Sequence, residues 1–273
     1  MKLSYIFHSG FVLETERCVL VFDFWMDPAR VMDAYMGTRK RVYVFASHFH
    51  EDHFTREILR WRDGIPGITY ILSKDILRRR RASREDADVW MAKGATWKDE
   101  NLMVIASGSN DCGVSWIVEV EGKRIFHAGD LCNWYARFLA EGDAPKSVVS
   151  DEFGTVNPVA EEKRFLGELK DVARLMQEHT TLHYASSLHG TSAVGRVGEK
   201  PCFDLVMFPV DGRIGNGYTL GGRQFIERFE VSMFVPMHFV ASGFESAWRM
   251  EPFCKEKDIP FWCITKEGES ITI

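Results

Sequence analysis

The chain has 273 residues, of which 45% are hydrophobic and 27% are charged, as in an ordinary globular protein. A formal net charge of −5 argues against a dedicated nucleic-acid binder. No apolar stretch approaches the roughly 18 residues of a membrane span, and the N-terminal segment has a His and a Glu where a signal sequence is apolar. We therefore expect a protein without a membrane segment.

The first third of the sequence predicts short strands followed by one helix. Apolar, β-branched and aromatic runs separated by turn residues indicate strands at Leu3–Phe7, Phe11–Glu14, Cys18–Phe22 and Val42–Ala46. The residues from Thr55 to Trp61 then have helical spacing, with Thr55 as the predicted N-cap.

The rest of the chain alternates predicted strands and helices. The predicted strands are Thr69–Leu72, Leu102–Ala106, Val114–Val120, Arg124–His127, Phe203–Phe208 and Met233–Met237. Glu121-Gly122 is predicted to be a hairpin turn. Helical spacing covers Pro158–Gln177 and Gly222–Phe229, and a final helix and strands lead to Ile273. This order favours sheets packed together with helices outside.

The chain has no internal repeat and no low-complexity linker, so we expect a single domain over residues 1–273. Residues 179–201 follow no clear period and are predicted to be an insertion or a lid.

The six cysteines include no CxxC pair and no framework spacing. Together with the absence of a signal sequence, they favour free thiols in a reducing cytoplasm.

Four candidate metal ligands follow the predicted strand Val42–Ala46 within a few residues. They are His48, His50, Asp52 and His53. Imidazole nitrogens and carboxylate oxygens together bind zinc, iron or manganese. A structural role is hard to justify, because burying several neutral histidines would leave ring nitrogens without hydrogen bonds. The loop is therefore predicted to hold a metal.

The run His48-x-His50-x-Asp52-His53 resembles the signature of the metallo-β-lactamase superfamily. Three further residues match the family's order: Asp23 resembles the carboxylate that braces the metal loop, Asp130 the carboxylate that bridges two metals, and His238 the final ligand. The resemblance covers residues 1 to about 240. It implies an α/β (α+β) fold, the four-layer αββα sandwich, with metals at one edge of two sheets.

The resemblance also implies a role for each matching residue. His48 and His50 would hold a first metal, and Asp52, His53 and His238 a second, with Asp130 between them. A water activated by the metals would attack an ester, lactone, amide or phosphoester, and Asp52 would orient it or accept its proton. The expected cofactor is zinc, as one or two ions, with manganese or iron as alternatives.

The chain departs from the family pattern at one ligand of the first metal. The family has a further His before the bridging Asp, but this chain has no His between His53 and His127. Asp111 is the best substitute by ligand chemistry, followed by Cys112 and Ser109. The alternative is that water fills the position and the first metal binds weakly.

Three residues are candidates for the periphery of the site. His8 either lies at the edge of the site or is a strand-end His satisfied by the backbone. His127 is expected to support the ligands rather than bind the metal. Arg213, on a Gly-containing loop, either holds an anionic group of the substrate or belongs to an ordinary turn.

Two other functions remain open from the sequence. A phosphodiesterase or RNA-processing nuclease would use the same metals, with Arg78–Arg81 and Arg84 as the basic run, although neighbouring acidic residues make nucleic acid the less favoured partner. A metal-binding protein of the same fold without hydrolytic activity is the other. Family members with di-iron oxygen chemistry carry a carboxylate where His50 stands, which argues against di-iron oxygen chemistry in this chain.

A small-molecule substrate and a homo-oligomer are the expected partners.

Overall fold

A computed structural model describes residues 1–140, 149–151, 154–186 and 200–273. Within these residues, no helix is both long enough and apolar enough to cross a membrane.

The strands of the described residues, numbered in chain order, are β1 (Lys2–Phe7), β2 (Gly10–Glu14), β3 (Cys18–Phe22), β4 (Arg41–Ala46), β5 (Ile68–Ser73), β6 (Val89–Met91), β7 (Thr96–Lys98), β8 (Leu102–Gly108), β9 (Val114–Val120), β10 (Lys123–His127), β11 (Val149–Asp151), β12 (Gly154–Val156), β13 (Cys202–Phe203), β14 (Leu205–Pro209), β15 (Glu230–Val231), β16 (Phe234–Met237) and β17 (Ser270–Thr272).

The α-helices of the described residues are α1 (Lys74–Arg78), α2 (Arg137–Ala140), α3 (Pro158–Ser186), α4 (Leu220–Arg228), α5 (Phe244–Ala247) and α6 (Glu251–Glu256). Short 3₁₀ helices cover Val31–Tyr35, Arg56–Asp63, Arg84–Asp86, Gly212–Ile214, Val240–Ser242 and Trp248–Met250.

Two large sheets contain most of the strands. The first has the order β17-β1-β2-β3-β4-β5-β6, and the second has the order β16-β14-β10-β9-β8-β7. Strands β3 to β6 are parallel, as are β10, β14 and β16. The remaining pairs in the two sheets are antiparallel, including the predicted hairpin of β9 and β10. Because β1, β3 and β4 run in one direction, their carboxyl ends reach the same edge of the first sheet.

The first sheet is buried on both faces because its side chains alternate between two apolar clusters. In β4, Tyr43 and Phe45 belong to the cluster between the sheets, whereas Val42 and Val44 belong to the cluster on the outer face. A strand buried on both faces has a nearly continuous apolar sequence. That continuity explains why such strands were predictable to within about one residue.

Helical segments cover the outer face of each sheet. Ile58 and Trp61, in the Arg56–Asp63 segment, pack on the first sheet. Phe165 of α3 and Phe225 of α4 pack on the second sheet. The layers are therefore helix, sheet, sheet and helix, which is the αββα sandwich that the sequence predicted.

Three predicted elements differ from the structure. The predicted helix at Thr55–Trp61 is a 3₁₀ helix at Arg56–Asp63, and the Thr55 side chain makes no capping hydrogen bond. The predicted strand Phe203–Phe208 is two strands, β13 and β14. They are separated by Asp204, whose side chain accepts hydrogen bonds from the Lys123 ammonium and the Arg124 amide. Helix α3 continues to Ser186, so the start of the predicted 179–201 insertion is helical. Residues 187–199 of that insertion lie outside the described residues.

Candidate metal centre

The candidate ligands lie in loops that follow the carboxyl ends of strands from both sheets. The metal-binding loop, residues 47–53, follows β4, and Asp23 follows β3. Asp130 follows β10, and His238 follows β16 directly. Loops at the carboxyl ends of parallel strands meet at one edge and are the usual location of ligand sites in α/β folds. The sequence-distant residues are brought together in this way.

Asp23 anchors the metal-binding loop from below. Its buried carboxylate accepts hydrogen bonds from the Ser47 amide (2.7 Å), the Ser47 hydroxyl (2.5 Å) and His53 Nδ1 (2.6 Å). The Ser47 oxygen in turn lies 3.0 Å from His48 Nδ1, which can donate to it. When His48 and His53 are neutral, a hydrogen on Nδ1 leaves Nε2 of each ring as the atom that can bind a metal. The structure therefore places Asp23 against the loop that it was predicted to brace.

His53, His238, Asp52 and Asp130 surround one point, here called the second position. Asp130 Oδ1 is 3.0 Å from His53 Nε2 and 3.3 Å from His238 Nε2. Asp52 Oδ2 is 3.8 Å from each of these nitrogens. Zinc with bonds of about 2.0–2.1 Å needs neighbouring tetrahedral ligand atoms about 3.3 Å apart. The four distances between carboxylate oxygens and imidazole nitrogens, from 3.0 to 3.8 Å, are close to this spacing.

The donor atoms at the second position lack hydrogen bonds. His53 Nε2, His238 Nε2 and Asp130 Oδ1 are all buried, and none has a hydrogen-bond partner of suitable geometry. Leaving a buried polar atom unpaired costs about 1–3 kcal/mol. Several such atoms that converge on one point therefore fit a cation, which would satisfy all of them at once.

The first position contains His48, His50 and the other oxygen of Asp130. His48 Nε2 lies 3.2 Å from Asp130 Oδ2 and 2.9 Å from His50 Nδ1. Asp130 thus faces both positions, one oxygen to each, as expected of a bridging carboxylate.

Two candidates for the third ligand of the first position lie on the turn between β8 and β9. One oxygen of Asp111 is within 4.8 Å of donor atoms of His50 and Asp130, and Cys112 Sγ is 3.8 Å from His50 Nδ1. Two of the three predicted substitutes for the missing His, Asp111 and Cys112, therefore lie near the first position. Ser109 instead accepts a hydrogen bond from the Asp111 amide and supports the turn.

A glycine lets this turn approach the metal-binding loop. Gly113 has φ +66°, and a Cβ there would lie 2.1 Å from the Ser47 carbonyl oxygen and 2.5 Å from His48 Cβ. The next residue, Val114, donates its amide to the same Ser47 oxygen at 3.0 Å. Only glycine allows this close approach, so the position of Asp111 and Cys112 depends on it.

His238 is held from outside the centre by the buried carboxylate of Asp211. Asp211 Oδ2 accepts a hydrogen bond from His238 Nδ1 at 2.9 Å. The Arg213 guanidinium pairs with the same carboxylate, and its Nη2 is 3.3 Å from His238 Nδ1. Arg213 therefore both supports Asp211 and lines the cavity above the centre.

His127 lies beneath the centre and is not positioned as a ligand. Its Nε2 donates to the Ser9 carbonyl at 2.9 Å, its Nδ1 accepts from the Gly129 amide, and its ring stacks on Phe22. Nδ1 is also 3.9 Å from Asp23 Oδ2. His127 thus lies beside the residues that support the centre, and its supporting role remains a prediction.

Burial and the neighbouring charges shift the pKa values of these groups in opposite directions. Burial alone would lower the pKa of His53, but the carboxylates of Asp130 and Asp23 raise it well above its usual value. Burial would raise the pKa of Asp130, but the surrounding imidazoles hold it well below its usual range. The centre therefore contains strong carboxylate acceptors and basic imidazoles, both of which favour a cation.

A cavity of about 550 Å³ opens above the centre. Its walls include Asp52, Asp130 and His238 of the centre, together with Trp134, Tyr135, Arg137 and Arg213. The volume is within the usual range for a small-molecule site.

Comparisons with known proteins identify the fold. No protein-family model and no curated protein matches the chain. Solved structures do match. The metallo-hydrolase Igni18 of Ignicoccus hospitalis aligns with a TM-score of 0.59 at 13% identity, covering 100% of this chain and 97% of that one. The metallo-β-lactamase fold protein YhfI of Bacillus subtilis aligns with a TM-score of 0.57 at 10% identity, covering 99% of each chain.

A third similar structure has a different chemistry. The diiron β-hydroxylase CmlA of Streptomyces venezuelae aligns with a TM-score of 0.55 at 11% identity, covering 100% of this chain and 54% of that one. At these identities the similarity concerns the fold. The protein thus has the metallo-β-lactamase fold, and the predicted resemblance to that superfamily is confirmed at this level.

Proposed function

We propose that the protein is a metal-dependent hydrolase of a small ester, lactone, amide or phosphoester. The observation that carries this proposal is the convergence of buried donor atoms without hydrogen bonds, His53 Nε2, His238 Nε2 and Asp130 Oδ1, at the floor of a cavity of small-molecule size. An arrangement that costs stability in the absence of a cation is best explained by a function that needs one.

The proposed cofactor is zinc, because imidazole and carboxylate donors at these spacings suit it. Bound zinc would lower the pKa of a water molecule to about 7 and polarise the substrate's carbonyl or phosphoryl oxygen. Manganese and iron are the alternatives, and one structure of the same fold is named as a diiron hydroxylase. Metal analysis distinguishes them.

Asp52 is the proposed proton acceptor of the reaction. Burial would raise its pKa, but the adjacent imidazoles of His8, with Nε2 at 3.2 Å, and His53 hold it below its usual range, so it is ionised at neutral pH. About 30% of its side chain is exposed, and it lines the cavity. A charged carboxylate at the border of the centre and the cavity can orient an attacking water and take its proton.

The cavity walls favour a small substrate with an anionic group. The Arg213 guanidinium is about half exposed, at 53%, although its inner nitrogens bind Asp211. Guanidinium groups recognise carboxylate and phosphate oxygens with good geometry. Trp134 and Tyr135 provide aromatic surface beside it. We expect the substrate to place its negative group toward Arg213.

One observation favours the phosphodiesterase or nuclease alternative. The side chains of Arg78–Arg81 and Arg84 are exposed, and none takes part in an ion pair with another described residue. The Arg79 guanidinium lies 5.0 Å from the ring centroid of Phe49, which belongs to the metal-binding loop. A basic surface next to the centre could bind a phosphate chain, and the binding would then weaken steeply with salt.

The cellular location is a further proposal. All six cysteines are free in the structure, which is compatible with a reducing compartment such as the cytoplasm.

Metal content and activity test the proposed function together. The protein, purified without added metal, is analysed for transition metals and assayed on chromogenic phosphodiesters, carboxylic esters and lactones. We expect one or two equivalents of zinc, with loss of metal and activity in Asp130→Ala and His238→Ala. The matched control is His179→Ala on α3, whose imidazole is 3.1 Å from the Thr96 hydroxyl and lies away from the centre.

Less than half an equivalent of any transition metal, unchanged by His238→Ala, would refute the metal centre. Stoichiometric metal without turnover of any substrate class would support a metal-binding protein without hydrolytic activity. Turnover of RNA or of a long phosphodiester alone, with steep salt dependence, would favour the nuclease.

A further inference from the structure

His8 occupies a left-handed backbone position in a tight turn. It follows β1 in the tight turn to β2 and has a left-handed conformation with φ 55°. Its amide donates to the Tyr5 hydroxyl, and its carbonyl oxygen accepts from the His238 amide at 3.1 Å. The left-handed conformation costs a non-glycine residue about 1–2 kcal/mol, although Asn, Asp and His adopt it more readily than others.

The His8 side chain is buried without a hydrogen bond. The residue is 3% exposed, and neither ring nitrogen has a partner of suitable geometry. The alternative in which the backbone satisfies this imidazole is therefore wrong. The ring lies 4.0 Å, between centroids, from the ring of His238, and Trp25 packs edge-on against its other side. The surrounding side chains thus hold the ring at the edge of the second position.

We propose that His8 Nε2 is a ligand of the metal at the second position, together with Asp52, His53 and His238. One donor atom from each of these four residues lies within 4.8 Å of all the others. His8 Nε2 is 3.2 Å from Asp52 Oδ2, which is the spacing of neighbouring ligands. This inference rests on the proposed function, since it adds a ligand to the same centre.

The second position differs from the first in the number of imidazoles around it. The imidazoles of His8, His53 and His238 and the carboxylate of Asp52 have donor atoms within 4.8 Å of one another, and Asp130 Oδ1 lies 3.0 Å from His53 Nε2 and 3.3 Å from His238 Nε2. The first position has the imidazoles of His48 and His50, one oxygen of Asp130, and a ligand from an exposed turn. The second position should therefore keep its ion under chelation that empties the first, leaving one equivalent.

Two substitutions distinguish a His8 that binds the metal from a His8 that only donates a hydrogen bond to Asp52. His8→Asn suits the left-handed backbone but is too short to reach the second position. His8→Gln places an amide near the position of Nε2 and keeps a donor for Asp52. Ligation predicts that both variants bind zinc at least about tenfold more weakly at the tight position. The metal-free His8→Asn variant should be nearly as stable as the parent, because Asn also tolerates the left-handed backbone.

Long-range ¹H–¹⁵N correlation spectra of the histidine rings in zinc-loaded protein test ligation directly. With one equivalent bound, we expect three metal-bound Nε2 resonances, from His8, His53 and His238, and loss of the first in both His8 variants. The matched control, His179→Asn, should change neither the affinity nor these resonances.

Two results would overturn the proposal while leaving the metal centre intact. One is a His8 Nε2 that carries a proton while His53 and His238 bind zinc. The other is parental affinity in His8→Gln with loss only in His8→Asn, because a hydrogen bond to Asp52 would then be sufficient. Absence of zinc from all rings would instead refute the proposed function as well.

Discussion

Replacing Asp23 with Asn tests whether the buried network fixes the chemistry of the ligands. The substitution preserves shape but removes the charge from a fully buried carboxylate that accepts hydrogen bonds from the Ser47 amide, the Ser47 hydroxyl and His53 Nδ1. An amide has one acceptor oxygen. If that oxygen keeps the hydrogen bond from the Ser47 amide, the NH₂ group of the introduced amide faces His53 Nδ1, which carries a hydrogen.

The donor–donor conflict has two outcomes, and each has a cost. Either His53 Nδ1 loses its hydrogen bond, or the ring changes tautomer and places a hydrogen on Nε2, the atom that faces Asp130 at 3.0 Å. Hydrogen bonds to a charged group contribute about 1.5–3 kcal/mol each, so losing one to two lowers the free energy of unfolding by about 3 kcal/mol. Loss of a partner that orients a ligand typically weakens metal binding about 10- to 100-fold.

The two effects are measured separately. Urea unfolding in the presence of a chelator gives the stability of the metal-free protein, and competition with a fluorescent chelator gives the zinc affinity. The matched control is Asp204→Asn, which removes a carboxylate that binds Lys123 and the Arg124 amide far from the centre. Zinc affinity of Asp23→Asn within twofold of the parent would refute the reasoning that Asp23 sets the tautomer of His53.

Further predictions concern the third ligand, the cavity and a surface pair. If Cys112 is the third ligand, cobalt-loaded protein should show a near-ultraviolet thiolate-to-cobalt charge-transfer band, and Cys112→Ser should abolish it. If Asp111 is the ligand instead, the band should be absent and Asp111→Asn should lose cobalt at the first position. Arg213→Gln should raise KM for anionic substrates about tenfold and leave KM for neutral analogues nearly unchanged, and an equal change for both would contradict an anion-binding role. A hydrogen bond from Lys40 lowers the pKa of Glu14, so its stabilisation is present above its usual pKa and is lost as the pH falls. Glu14→Gln should therefore cost up to about 1 kcal/mol at pH 7 and progressively less as the pH falls below the usual pKa of Glu, and a loss in urea unfolding that does not shrink with falling pH would exclude this electrostatic cause.

The sequence predicted the large strands well because their apolar runs are long and buried on both faces. It missed β6 and β7, since three-residue strands are too short to show a period. It also placed the end of α3 too early. The polar residues beyond Gln177 lack a clear apolar period, but the helix continues to Ser186.

The candidate site was predictable where its residues follow strands in a recognisable run. His48, His50, Asp52 and His53 lie within six residues, and Asp130 and His238 each follow an apolar strand. Other contributions depend on strand order. Ser47, which links Asp23 to His48, has no distinguishing signal in the sequence.

His8 and Asp211 were harder to interpret for the same reason. Each lies in an ordinary-looking turn, and each contacts the site only because β1 and β14 end at the same edge as β4 and β16. Their partners are more than 25 residues away in the chain. Local patterns cannot reveal which turns meet, since that depends on the order of the strands in the sheets.

The two metal positions differ in how rigidly the fold holds their ligands. At the second position, buried carboxylates fix two imidazoles through their Nδ1 atoms, with Asp23 bound to His53 and Asp211 bound to His238. At the first position, the third ligand must come from an exposed turn, where Asp111 and Cys112 contact each other at 3.2 Å. A ligand that is already fixed loses less conformational entropy when it binds an ion, so the more rigid position should bind metal more tightly. The missing His already suggests that the first position binds metal more weakly than the second. The buried carboxylates that hydrogen-bond His53 and His238 are a second reason for the same difference.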